Sequence, residues 1–245
     1  MDTGNPPTLS ESVAAAHAWW REAGVDLSYL DEPQVWLAPE PGEIVAPPVE
    51  KRVAPPPAPT IGGDHAAWPR ELAGFARWWL EEPSLDTTVR GRVSPRGPAG
   101  AALMILVPMP EADDSDTLLS GPQGRLLANM VTAMGVAPDQ AYFAAALPRH
   151  TPLPDWDELG AQGMGEVLRH HVQLAAPQRL IVLGRDVLPL LGHDPAQAAP
   201  AVSELSIQSR MLPLLSSYAP GRLLEHGRYR AQLWQRWLEW TGTGL

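Results

Sequence analysis

Four carboxylates crowd the stretch Glu111-Ala112-Asp113-Asp114-Ser115-Asp116. Paired acids at this spacing could activate a water or steady a cationic transition state. They could also bind a divalent cation, or simply keep a surface turn solvated. Glu111 and Asp116 are the first choices for a catalytic role, with Asp113 beside them. A second group is Arg149-His150. His150 could act as a general acid or donate to a ligand carbonyl, and Arg149 could hold a phosphate. A third runs from Ser216 to Arg230 and includes Ser217, Tyr218, Arg222, His226 and Arg228, the most basic short stretch of the C-terminal half. Hydroxyls, a helix start and arginines in that order could grip a phosphodiester backbone, or could merely solvate a helix end.

Each group follows a short apolar run, and those runs supply the frame. Leu103–Val107 reads as a buried strand stopped by Pro108 and Pro110. Further strands are expected at Tyr142–Leu147, Leu180–Leu183 and Leu212–Ser216. Helices are expected at 121–134, 154–175, 185–191 and 228–240, the second weakened by Gly160, Gly163 and Gly165. Residues 193–209 read as irregular. Strands alternating with helices predict a three-layer α/β/α domain with a four-stranded, mainly parallel sheet over residues 68–245. The loops after the strands then share the carboxyl edge, where such folds bind ligands.

Ahead of this domain, Thr8 and Glu11 form a capping box for a helix ending near Gly24, within an N-terminal segment of residues 1–38. It could dock on the main domain or bind a partner protein. Residues 39–67 form a Pro-rich linker, with Pro55-Pro56-Pro57 at its centre; it could act as a spacer or as a ligand for proline-recognising domains. From Trp68 to Trp79 an apolar stripe has helical spacing. Its adjacent tryptophans could stack on bases, or pack a helix on the sheet.

Composition narrows the chemistry. The 245 residues contain no cysteine, which removes disulfides, thiol nucleophiles and thiolate-held clusters. A net charge of −10 disfavours indiscriminate nucleic-acid binding at long range, although a local basic groove is compatible with it. No apolar run approaches the ~20 residues that cross a bilayer, and the first residues lack the basic-then-apolar pattern of a signal peptide. A cytoplasmic protein without metal or cofactor is expected. Phosphate-loop, dinucleotide-binding, nucleophile-elbow and zinc-protease motifs are absent from the sequence.

Order and spacing of these segments resemble the uracil-DNA glycosylase superfamily, in particular its bacterial and archaeal iron–sulfur-type branch. The resemblance spans residues 103–240 and rests on Met104–Asp114, Leu118–Leu127, Ala141–Pro152, Arg179–Gly192 and Tyr218–Leu224. It implies a pocket for a nucleotide flipped out of DNA and hydrolysis of the base–deoxyribose bond without a metal. The implied pocket wall is Pro108, Met109, Pro110, Leu119, Ala145, Tyr218 and Ala219. The family's motif residues are mostly replaced: Pro108 stands at the acidic position, Leu119 at the stacking aromatic, Ala145 at the base-reading asparagine and Ala219 at the final histidine. The framework persists in Pro110, Gly121, Gly124, Pro152, Gly184, Pro220 and Leu223.

Losing those groups removes stabilisation of the departing base, and removes the paired hydrogen bonds that tell uracil from cytosine. Two expectations follow. Either the chain is a degenerate member with a DNA-binding or repair-associated role, or it excises a deaminated base with relocated residues among Glu111, Asp113, Asp114, Asp116 and His150. An unrelated small-molecule enzyme on a similar sheet is a third.

Overall fold

A computed structural model of the chain describes residues 8–24, 61–193, 202–207 and 210–242. The expected linker, residues 39–67, lies outside these up to residue 60. The chain divides into two units, Met1–Val53 and Ala54–Leu245.

In the first unit, helix α1 spans Leu9–Glu22. The Thr8 backbone N–H donates to Glu11 Oε2 at 2.7 Å, and the Glu11 N–H donates to Thr8 Oγ1 at 3.4 Å, so the capping box is present. Gly24, at φ 81°, follows the helix end. No α1 residue is buried; Trp19 and Trp20 are both exposed.

In the second unit the parallel strands are β1 (Leu103–Val107), β2 (Ala141–Ala145), β3 (Leu180–Leu183) and β5 (Arg210–Ser217). A fifth strand, β4 (Val202–Ile207), pairs antiparallel with β5. The sheet order is β2-β1-β3-β5-β4. The expected four strands are therefore five, and part of the stretch read as irregular is an edge strand. Only Leu205 of β4 is buried, so its sequence carries little of the apolar run that marks the inner strands. Pro213 is tolerated within β5 because it pairs with Glu204 of the edge strand, while pairing with β3 starts at Leu214.

Helices cover both faces of this sheet. On one face lie α2 (Leu72–Glu81) and α5 (Met164–Ala175), which pack Phe75, Trp79, Val167 and Leu168 on Met104, Leu106, Ala144 and Val182. On the other lie α3 (Pro122–Ala133), α6 (Pro220–Glu225) and α7 (Gly227–Gly242), with Leu127, Leu223, Leu233 and Trp237 against Ile105, Val107, Phe143 and Leu215. Alternate residues of each strand serve alternate faces, which is why all five of β1 are buried. Trp79 is 1% exposed, which commits it to core packing and removes it from contact with bases. The helix expected over 154–175 is broken into α4 (Trp156–Ala161) and α5, because Gly163 takes φ 101° between them. The packed unit also begins before Trp68: Ile61 is buried, and its N–H donates to the Gln162 carbonyl at 2.7 Å.

Candidate functional site at the carboxyl edge of the sheet

Because β1, β2, β3 and β5 run parallel, the loops that leave them meet at one edge. The ladder continues past the strands. Leu147 N–H donates to the Pro108 carbonyl at 3.0 Å, and Gly184 N–H donates to the Ser217 carbonyl at 3.0 Å. Gly184 stands at φ 126°, and a Cβ there would lie 2.6 Å from Pro108 Cγ and 3.9 Å from Ala219 Cβ. Pro108 and Ala219 thus flank one glycine where three loops converge, with both side chains half-buried.

The acidic loop is built around its own backbone. Glu111 is 8% exposed and accepts from the N–H groups of Gly121 and Gly124 at Oε1 (3.0 and 2.9 Å) and of Gln123 at Oε2 (3.0 Å). The start of α3 offers unpaired donors and a positive dipole end, and Glu111 fills that place. Asp114, also 8% exposed, accepts from the N–H groups of Glu111, Leu119 and Ser120 and from Ser120 Oγ. Burial alone would raise its pKa, but these hydrogen bonds outweigh burial and hold it below the usual carboxylate range. Asp113 and Asp116 are exposed, and Asp116 accepts from Ser115 Oγ at 3.1 Å.

His150 is half-buried, with Nδ1 3.0 Å from the Pro110 carbonyl. A carbonyl only accepts, so Nδ1 carries the proton and Nε2 is the nitrogen left for a ligand. Arg149 is committed to Asp86: Nε donates to Oδ2 at 2.5 Å and Nη2 to Oδ1 at 3.2 Å. Hydrogen bonding to Asp86 raises the Arg149 pKa, and the same bonds, against burial, lower that of Asp86. This pair forms part of the wall of a cavity of about 420 Å³ that Leu85, Leu147, Leu159 and Met164 also line.

The positions implied as a base pocket are filled by hydrocarbon. Leu119, at φ 59°, and Ala145 are 4% and 3% exposed and belong to the core beneath α3 and α7. Pro110 is buried and Met109 is half-buried against the opposite core. Ser217 is 5% exposed, and its Oγ has no hydrogen-bond partner among the described residues. Beyond it lie half-buried tyrosines and exposed arginines. Tyr218 stacks on Tyr229 at 3.9 Å between ring centroids, the Arg228 guanidinium lies 4.7 Å from the Tyr229 ring centre, and Arg222 is 59% exposed. Arg222 Nη1 lies 3.9 Å from Glu225 Oε2, a loose ion pair one helical turn along.

The loops expected to share one edge do so, while Asp86, Arg92 and Tyr229 were not among the residues singled out from the sequence. Arg92 is 5% exposed and donates to the carbonyls of Trp79, Leu80, Glu82, Asp86 and Thr88, closing the end of α2. The one signal available for Tyr229 was its place between Arg228 and Arg230. No described helix is long and apolar enough to cross a membrane. No protein-family model and no curated protein matches the chain.

Proposed function

We propose that residues 61–242 form a degenerate uracil-DNA glycosylase-type domain that binds DNA at the carboxyl edge of its sheet and does not excise bases. The observation that carries this reading is the fate of Glu111, one of the two acids singled out for catalysis, whose two oxygens are spent on three backbone N–H groups. Apolar Leu119 and Ala145 at the implied stacking and base-reading positions support it. For binding, the exposed groups are the guanidinium groups of Arg222 and Arg228, which suit phosphates, beside the half-buried Tyr218–Tyr229 stack.

The test uses the full chain and oligonucleotides, single- and double-stranded, carrying uracil, hypoxanthine or xanthine, with alkali to cleave any abasic site. The expected result is no strand breaks, with salt-sensitive binding that Arg222→Ala and Arg228→Ala weaken. Breaks that disappear in Asp116→Asn or His150→Ala would establish excision with relocated residues. Absence of binding at ~50 mM salt, where phosphate contacts are strongest, would refute the DNA reading.

A further inference from the structure

The cavity beside the Asp86–Arg149 pair lies on the opposite face of the sheet from α6 and α7. It forms where the loop that leaves β2 meets the segment after α2, at the start of α5, and its volume is about 420 Å³. Its floor is hydrocarbon anchored in the core: Ile61, Leu85, Leu147 and Met164 are each at most 6% exposed. Half-buried Leu159 closes one side, and exposed Pro83 and Thr87 stand at the mouth. Walls anchored in this way are formed before a ligand arrives. A concave, mainly apolar lining with a few placed polar groups is the usual form of a small-molecule site.

The polar groups of the lining decide which ligand it suits. Each of its three hydroxyls has spent its hydrogen. Ser84 Oγ donates to Glu82 Oε1 at 2.6 Å, Thr87 Oγ1 to Asp86 Oδ1 at 3.1 Å and Thr151 Oγ1 to the Arg149 carbonyl at 3.4 Å. Asp86 is equally committed, accepting from Arg149 at both oxygens and from the Thr88 N–H at Oδ1. Arg149 reaches Asp86 through Nε and Nη2, so its Nη1 has no hydrogen-bond partner among the described residues. The cavity thus offers hydrocarbon and one charged donor whose charge is already balanced. A sugar would find no free hydroxyl donor, a nucleobase no aromatic face in the lining, and a phosphate a cation shared with an acid. A carboxylate would be set against Asp86. What fits is an aliphatic chain ending in a neutral carbonyl, and an amide oxygen is the strongest acceptor of that kind. We propose that this cavity binds a medium-chain acyl amide, its chain among Ile61, Leu85, Leu147, Leu159 and Met164 and its carbonyl oxygen accepting from Arg149 Nη1. The site is independent of the DNA-binding reading, and its failure would leave that reading standing.

The experiment uses the full chain with isotope-labelled methionine methyl groups, so that the Met164 methyl reports the cavity from within by nuclear magnetic resonance. Its signal is assigned by its loss in Met164→Leu. The probes are octanamide, octanoate and octylamine, the last cationic at neutral pH and able only to donate. Octanamide is expected to shift the Met164 signal saturably, and octylamine to leave it in place. Octanoate should bind wild type more weakly than the amide does. It should bind Asp86→Asn at least about tenfold more tightly than wild type, because that change removes the opposing charge and keeps the Arg149 donors. Leu159→Trp, which fills the cavity, should abolish the octanamide shift. An unmoved Met164 signal with octanamide, an equal shift with octylamine, or a shift that survives in folded Leu159→Trp would overturn the proposal. Octanoate affinity unchanged by Asp86→Asn would overturn it too, and that arm decides if Leu159→Trp does not fold.

Discussion

The Glu111 carboxylate accepts the Gly124 N–H at 2.9 Å across a loop and a helix start, and it holds Gly121 and Gln123 in the same way. It is a helix cap supplied from thirteen residues upstream. Glu111→Ala leaves three donors without their anion and is expected to destabilise by about 2–4 kcal/mol, and Glu111→Gln by about half as much, since it keeps one acceptor oxygen. Urea unfolding of both variants checks this. An unaltered midpoint for Glu111→Gln would mean that the charge is not needed for folding, and would return Glu111 to the list of reactive groups.

The partner side of the same joint is equally tight. A Cβ on Gly124 would fall 1.7 Å from the Leu119 carbonyl oxygen, and one on Gly121 would fall 2.6 Å from Glu111 Oε2. Backbone cannot yield as a flexible side-chain tip can, so Gly124→Ala is expected to cost at least about 3 kcal/mol or to prevent folding. Gly135→Ala provides the comparison: its Cβ meets nothing within 4 Å, so only its φ of 78° is penalised. A Gly124→Ala chain as stable as Gly135→Ala would disprove the close approach.

Why some of this was legible in the sequence follows from range. The inner strands announce themselves because burial on both faces demands unbroken apolar runs, as in Leu103–Val107. The Thr8–Glu11 box is legible because its partners lie three residues apart. The edge strand β4 needs only Leu205 buried, and α6 is too short to show a period. At the site, the acidic loop was found, but not the use of its acids. Glu111 and Asp114 bind backbone N–H groups, which every residue has and no side-chain pattern reveals. Arg149 read as a phosphate ligand because its true partner, Asp86, is 63 residues away.

That long-range pair is itself open to measurement. The Asp86 and Arg149 side chains are 15% and 29% exposed and share two hydrogen bonds, so they lie between a surface and a buried ion pair. A double-mutant cycle with Asp86→Asn and Arg149→Met is expected to give a coupling of about 1–3 kcal/mol. The sign with pH is fixed by the lowered Asp86 pKa. Its contribution is complete above the ordinary carboxylate range and is lost as pH falls through the lowered value. Stability of Asp86→Asn should therefore depend less steeply on pH in acid than that of wild type. Parallel profiles would show that the pair contributes no net charge interaction.

His171 gives the clearest pH dependence. It is 1% exposed on α5, stacked on Phe75 at 4.2 Å, with Nε2 2.8 Å from the Tyr142 hydroxyl. Burial first, and the neighbouring His170 second, push its pKa down from 6.5 to about 3. Above pH 6.5 the imidazole is neutral in both folded and unfolded chains, and this residue adds no slope. Below it, the unfolded chain takes up a proton that the folded one refuses. Stability then falls by about 1.4 kcal/mol per pH unit until the folded value is reached. In His171→Gln the proton acceptor is gone while every other titrating group remains. Between pH 7.0 and pH 5.5 wild type should lose about 1.3 kcal/mol more than the variant, as read by urea unfolding at each pH. Equal losses would mean that the folded protein admits the proton, against the cost of charging a ring buried among Phe75, Trp79 and Tyr142.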